Sequence, residues 1–113
     1  FTWNYENDLD IPIVFIILWN KKMWSAGETA GLKEKGLEML EEMEALGIIP
    51  DVSHLSDGGF YDVAKYAKRP FLASHSNARG IAPNAARNLT DDMIRILAEK
   101  GGVMGLNFLC FFL

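Results

Sequence analysis

The chain has 113 residues, a formal net charge of −4, 50% apolar residues and 23% charged residues. This composition suits one small globular domain, or a piece of a larger one, and excludes a disordered chain. The acidic balance argues against non-specific nucleic-acid binding, which needs a basic face. A single cysteine, Cys110, excludes a disulfide framework or a Cys-rich zinc module, and we expect a reducing, cytoplasmic setting.

The two ends and an early apolar run indicate how the chain is organised. It begins at Phe1 and stops at Leu113 within apolar sequence rather than polar boundary residues, so we expect a fragment of one domain. The longest apolar run, Ile11 to Trp19, is far shorter than the ~20 residues of a membrane span, so no span is expected. The segment 10–30 has no clear periodicity and is treated as atypical.

The first predicted helix covers 31–46. Its apolar residues recur at helical spacing between charged ones, and Gly47 is placed to end it in the left-handed conformation. A short strand is predicted at 48–53. The apolar stripe consists of Leu32, Leu37, Leu40, Met43 and Leu46.

A second helix follows Ser56 and Asp57, whose side-chain oxygens suit the N-cap, and Pro70 is expected to stop it. A second strand is predicted at 71–74 and a Gly/Pro/Asn-rich loop at 75–88. The inward stripe of the helix is predicted to be Phe60, Val63, Ala64 and Ala67.

The third helix has Thr90 as its predicted N-cap, acidic residues in its first turn, and Gly101 and Gly102 at its end. A third strand is predicted at 103–108. Strands that alternate with helices predict a parallel sheet, either in a (β/α)8 barrel or in an open doubly wound sheet. No glycine-rich phosphate loop follows any strand, which argues against nucleotide binding.

The only two histidines follow consecutive predicted strands. His54 and His75 are 21 residues apart, about one strand-helix repeat, and each comes directly after a serine. The carboxyl ends of parallel strands meet at one edge, where ligands gather. The pattern therefore predicts that both imidazoles can reach one metal ion, although a hydrogen-bonded structural role for each histidine is equally compatible with it.

Arginines in the loop after His75 are candidates for binding a substrate carboxylate. The sequence pattern by itself leaves Arg79 and Arg87 as alternatives. Asp51, which lies three residues before His54, is interpreted as a structural carboxylate.

Several linked motifs resemble the membrane dipeptidase (renal dipeptidase, M19 peptidase) family. They are the run from Asp51 to Asp57, the run from Arg69 to Arg79, and Arg87 to Asp92, followed by Ala98 to Gly105 and Asn107-Phe108. The resemblance covers residues 31–108, together with the opening 1–7.

This resemblance implies that residues 1–113 are part of a single catalytic domain, a (β/α)8 barrel of the amidohydrolase type. It implies a two-zinc enzyme that hydrolyses dipeptides by means of a metal-bridging hydroxide. By the same resemblance His54 and His75 are zinc ligands and Arg87 binds the dipeptide carboxylate. The alternatives are another metal-dependent amidohydrolase or a folded remnant without activity.

The chain also departs from the family pattern. The His-x-Asp pair, the Glu that bridges the zincs and the late-strand Asp have no counterpart in it, so the catalytic residues are expected outside these 113 residues. Trp3 stands where some members carry a substrate-contacting His. We therefore expect this chain alone to be inactive, and open strand edges favour association into a homo-oligomer.

Overall fold

The computed structural model describes residues 8–9 and 31–113. The opening residues 1–7, including Trp3, and the atypical segment 10–30, with its apolar run from Ile11 to Trp19, lie outside the described residues. The elements in chain order are α1 (Glu34–Ala45), α2 (Asp57–Tyr66), β1 (Leu72–Ala73), α3 (Asp91–Glu99), β2 (Val103–Met104) and a 3-10 turn (Cys110–Phe112).

Parallel pairing joins three segments of the chain. β1 pairs with β2 in parallel, with Leu72 opposite Val103, and α3 makes the connection between them. On the other side of β1, Asp51 forms a parallel bridge with Leu72. The predicted alternation of extended segments and helices is therefore confirmed as a small α/β unit.

The strands are much shorter than the predicted ranges 48–53, 71–74 and 103–108. Leu72 N donates to Pro50 O and Val52 N donates to Leu72 O, but the ladder between these two segments then stops. The next amide, Ser74 N, donates to the Asp51 side chain at 3.1 Å. A carboxylate thus replaces a backbone carbonyl as acceptor, and this ends the regular pairing between these two segments one residue after β1.

The caps of α2 and α3 are confirmed. Ser56 Oγ accepts from Gly59 N at 3.0 Å, and Thr90 Oγ1 accepts from Met93 N at 3.2 Å. Gly47 and Gly101 follow α1 and α3 with φ of 74° and 73°, which glycine adopts without strain.

Two predicted helix boundaries are wrong because tertiary hydrogen bonds take the terminal amides. Residues 31–33 precede α1 rather than belong to it: Leu32 N donates to Asp62 Oδ2 at 2.9 Å. α2 ends at Tyr66, before Pro70, since Glu44 Oε1 accepts from both Lys68 N and Arg69 N at 2.8 Å.

The core lies between the helices and the short sheet. Phe60 of α2 packs edge-to-face on Phe71, with ring centroids 5.7 Å apart, and the predicted inward stripe of α2 is buried. Met93 and Leu97 bury one face of α3 against the same cluster. Among the described residues, no helix is long and apolar enough to cross a membrane.

Candidate functional site

The register of the parallel segments places the two histidines side by side. Asp51 and Leu72 are paired, and His54 and His75 each lie three residues beyond these positions. Neighbouring parallel strands lie about 4.8 Å apart, so equivalent side chains at their carboxyl ends come close together. The imidazole ring centroids are 5.0 Å apart.

The two imidazoles meet through the same ring atom. His54 Nε2 and His75 Nε2 are 3.0 Å apart. Two nitrogens bound at ~2.1 Å to one tetrahedral ion lie roughly 3.4 Å apart, so a small rotation of either ring makes room for a shared metal. The described residues contain no group of three or more His, Cys, Asp or Glu side chains placed to hold a metal. The pair therefore fits part of a coordination shell.

Asp51 organises the backbone beneath the histidines. Its Oδ1 accepts from Ser53 N at 3.0 Å and from Ser74 N, and its Oδ2 accepts from Ser74 Oγ. Burial alone would raise the pKa of this carboxyl, but the hydrogen bonds from Ser74 and Ser53 outweigh it and hold the pKa below its usual value. Asp51 is thus an ionised carboxylate that supports both strand ends, as the structural interpretation predicted.

His75 is fixed at three of its polar atoms. Besides the Nε2 contact, its Nδ1 lies 2.7 Å from Ser74 Oγ and its backbone N donates to Ser53 Oγ at 3.1 Å. Burial, and then the nearby positive charge of Arg87, lower the pKa of His75, and Asp51 offsets this only in part. A lowered pKa keeps the imidazole neutral at pH 7, which is the form that binds metals.

Arg87 is held at the same edge. Its Nε donates to Ser53 O at 3.2 Å, and its guanidinium lies over the Phe112 ring, 5.1 Å from the centroid. Nη2 is buried and has no hydrogen-bond partner in the described part of the chain. A buried guanidinium N–H without an acceptor is costly, and a carboxylate would satisfy it.

The structure separates the two arginines that the sequence left as alternatives. Arg79 makes a two-pronged ion pair with Asp57, at 2.8 and 2.7 Å, and donates to two loop carbonyls, Asn88 O and Ala86 O. These acceptors, on α2 and in the loop itself, occupy the guanidinium of Arg79. Of the two, Arg87 is therefore the arginine with a guanidinium nitrogen, Nη2, that has no hydrogen-bond partner among the described residues.

Two buried amides that the sequence analysis missed position the ring beneath Arg87. Asn77 Nδ2 and Asn88 Nδ2 both donate to Phe112 O, at 2.8 and 3.1 Å. Asn77 also exchanges hydrogen bonds with the backbone of Asn107. Asparagine in a Gly/Pro-rich loop ordinarily indicates a turn, so only the burial of both side chains, visible in the structure, identifies this role.

Comparison with known proteins gives the family. The family model for membrane dipeptidase (Peptidase family M19) matches residues 13–113, which extends the match beyond the range 31–108. An uncharacterized protein from the pqqA 5' region of Klebsiella pneumoniae is 41% identical over 78 residues, covering 69% of this chain and 28% of that protein.

Two solved structures are similar in fold and in sequence. A metallo peptidase from Rhodobacter sphaeroides, liganded with a phosphinate mimic of the dipeptide L-Ala-D-Ala, is 40% identical with a TM-score of 0.74, covering 80% of this chain and 26% of that chain. Dipeptidase AC, a family M19 metallo peptidase, is 43% identical with a TM-score of 0.71, covering 74% of this chain and 24% of that chain.

The chain spans about a quarter of the length of these relatives. Its match to the family model nevertheless covers most of its own residues. The matched range includes both strand-end histidines and the loop arginine beside them. On this sequence and structural evidence, the chain belongs to the membrane dipeptidase family, peptidase family M19.

Proposed function

We propose that this chain is part of a zinc-dependent dipeptidase and supplies two metal-ligating histidines and the arginine that binds the substrate carboxylate. The observation that carries the proposal is the 3.0 Å approach of His54 Nε2 to His75 Nε2. Equivalent placement on neighbouring parallel segments, together with the family, supports a shared metal over two unrelated structural histidines.

The donor chemistry of the pair is consistent with zinc. Neutral imidazole nitrogens are common zinc ligands, and burial keeps His75 in its neutral form. We propose that the remaining ligands, and a second zinc, belong to parts of the protein outside this chain. When bound, zinc would supply Lewis-acid polarisation of the scissile carbonyl and would lower the pKa of a bound water toward neutral pH.

Arg87 is the proposed anchor for the substrate. Its Nη2 has no hydrogen-bond partner among the described residues, and the bond from its Nε to Ser53 O places the positive charge next to the residue that precedes His54. A dipeptide that presents its terminal carboxylate to Arg87 would be oriented with its peptide bond directed toward the histidine pair. The fixed guanidinium therefore contributes to substrate binding and orientation rather than to proton transfer.

The proposed parent fold is a (β/α)8 barrel. Parallel segments joined through helices are its repeating unit, and the histidines lie at the carboxyl ends of the strands, where barrel enzymes bind ligands. Val103, Leu106 and Phe108 are 66%, 62% and 81% exposed. In the proposed parent these side chains would be covered by further strands, and in the isolated chain they favour self-association into a homo-oligomer.

The test uses the complete protein that contains this chain, expressed in a reducing cytoplasm, which is the proposed location. We expect bound zinc and hydrolysis of L-Ala-D-Ala, the dipeptide whose mimic the similar R. sphaeroides enzyme binds. His54→Ala should lower both zinc content and turnover. Lys65→Ala, an exposed change on α2, is the control that should lower neither.

Zinc binding without dipeptide turnover, with hydrolysis of another amide instead, would refute the dipeptidase and favour a different amidohydrolase. A folded complete protein that binds no metal would refute the zinc site.

A further inference from the structure

The contacts of His75 extend beyond its partner histidine to a chain of hydrogen bonds below the ring. Ser74 Oγ lies 2.7 Å from His75 Nδ1 and also contacts Asp51 Oδ2. Ser53 Oγ lies 3.4 Å from the same hydroxyl. Three neighbours therefore surround one hydroxyl group that carries a single proton.

The direction of each hydrogen bond follows from the donors available. An ionised carboxylate only accepts, so the Ser74 hydroxyl proton must point to Asp51. Ser74 Oγ then faces His75 Nδ1 with a lone pair. A lone pair on Nδ1 would leave the 2.7 Å contact without a proton, so Nδ1 must carry the hydrogen.

We infer that Asp51 and Ser74 act as positioning residues that hold neutral His75 in the Nδ1–H tautomer, which leaves the Nε2 lone pair facing His54. This inference deepens the proposed function, since it rests on Nε2 of His75 being the ligand atom. Hydrogen bonds of this kind commonly fix the tautomer and orientation of metal-binding histidines.

The backbone geometry supports the same assignment. Asp51 Oδ1 accepts from Ser53 N and Ser74 N, so one carboxylate fixes the residues that precede both histidines. The carboxylate therefore fixes the hydroxyl both by its hydrogen bond and by the position of the main chain. Ser74 consequently has little freedom to turn its proton toward the ring.

The test is the tautomer itself, measured by two-bond 1H–15N correlation spectra of the metal-free 113-residue chain. The pH should lie about one to two units above the ordinary histidine pKa of ~6.5. The chain contains only two histidines, so His54 serves as the reference in every spectrum. We expect the His75 signals of a protonated Nδ1 and an unprotonated Nε2.

Substitutions at Ser74 distinguish a specific effect of its hydroxyl group on the His75 tautomer from a general effect on the structure. Ser74→Ala should redistribute His75 between its two tautomers, and Ser74→Thr should restore the Nδ1–H form. Ser74→Cys, which keeps the volume but accepts poorly, replaces the alanine variant if that variant does not fold. Ser76→Ala is the matched control, because Ser76 Oγ has no hydrogen-bond partner in the described part of the chain.

Zinc titration gives a second measurement. In the complete protein, Ser74→Ala should weaken the zinc affinity roughly 10-fold, which is the lower end of the effect usual for residues that support a metal ligand, and Ser76→Ala should not. A proton on His75 Nε2 in the unmodified chain, or a Ser74→Ala spectrum unchanged from it, would overturn the inference.

The tautomer spectra test the inference, and the zinc titration also tests the proposed metal site, so the two can be contradicted separately. A chain with the Nδ1–H tautomer that responds to Ser74→Ala supports the inference even if the complete protein binds no zinc, a result that would instead count against the proposed metal site. Zinc binding in a chain whose His75 carries its proton on Nε2 when metal-free would overturn the inference and leave the proposed function standing.

Discussion

The ion pair between Arg79 and Asp57 offers a sharp test of how the loop that carries Arg87 is held. The side chains are only 14% and 17% exposed, and two short hydrogen bonds join them. Asp57→Ala would leave the guanidinium charge nearly buried and without its carboxylate. Removing one partner of a buried pair costs about 3–5 kcal/mol.

The expected cost here is somewhat lower. In the variant Arg79 would keep its bonds to Asn88 O and Ala86 O, at 2.8 and 2.7 Å, so part of its hydrogen bonding survives. We expect Asp57→Ala to lower the free energy of unfolding by about 2–4 kcal/mol. With a urea m-value of ~1 kcal/mol/M, the midpoint of unfolding should fall by roughly 2 M or more, measured by circular dichroism.

The control is an exposed ion pair of the same chain. Lys68 and Glu41 lie 3.3 Å apart, but their side chains are 74% and 76% exposed. Water and salt screen such a pair, so Glu41→Ala should change the stability by less than about 0.5 kcal/mol. Equal urea midpoints for Asp57→Ala and Glu41→Ala would refute the argument that burial makes the Asp57 pair important.

Further predictions concern the site and its supports. In the complete enzyme, Arg87→Ala should raise KM for dipeptides roughly 10- to 100-fold with unchanged zinc content. Arg87→Lys should not restore KM fully, because lysine lacks the planar guanidinium that binds a carboxylate through two hydrogen bonds. Unchanged kinetics in both variants would contradict the assignment. Phe112→Leu removes the ring beneath the guanidinium and should raise KM several-fold, whereas Phe111→Leu, at a partly exposed neighbour, should not; equal KM values would show that the ring is dispensable. Gly105→Ala would place a methyl group against a carbonyl oxygen of the neighbouring strand end, so it should reduce both stability and zinc binding, while Gly80→Ala has room and should do neither. The isolated 113-residue chain with added zinc should show no dipeptide turnover, since the described residues hold no cluster of three metal-ligating side chains; zinc-dependent turnover abolished by His54→Ala would contradict this.

Local sequence patterns predicted much of the fold because the interactions behind them are short in range. The N-caps at Ser56 and Thr90 depend on residues three positions later, and Gly47 and Gly101 end helices through their own backbone freedom. The alternation of helices and extended segments likewise follows from apolar periodicity. The ends of the strands and of α2 were predicted wrongly, because side chains distant in sequence take over the amides there.

The same distinction between short-range patterns and contacts distant in sequence applies to the candidate site. The sequence by itself determined the two strand-end histidines, since equal spacing after parallel strands brings equivalent residues together, and their 3.0 Å contact agrees with that expectation. The local pattern did not separate Arg79 from Arg87, a choice that rested on the family resemblance, because Arg79 pairs with the carboxylate of Asp57, 22 residues away, and no local pattern encodes that pairing. The ring beneath Arg87 and the amides that hold it come from three separate stretches of the chain. Only tertiary packing decides which of these donors are bonded within the described part of the chain and which one, Arg87 Nη2, is not.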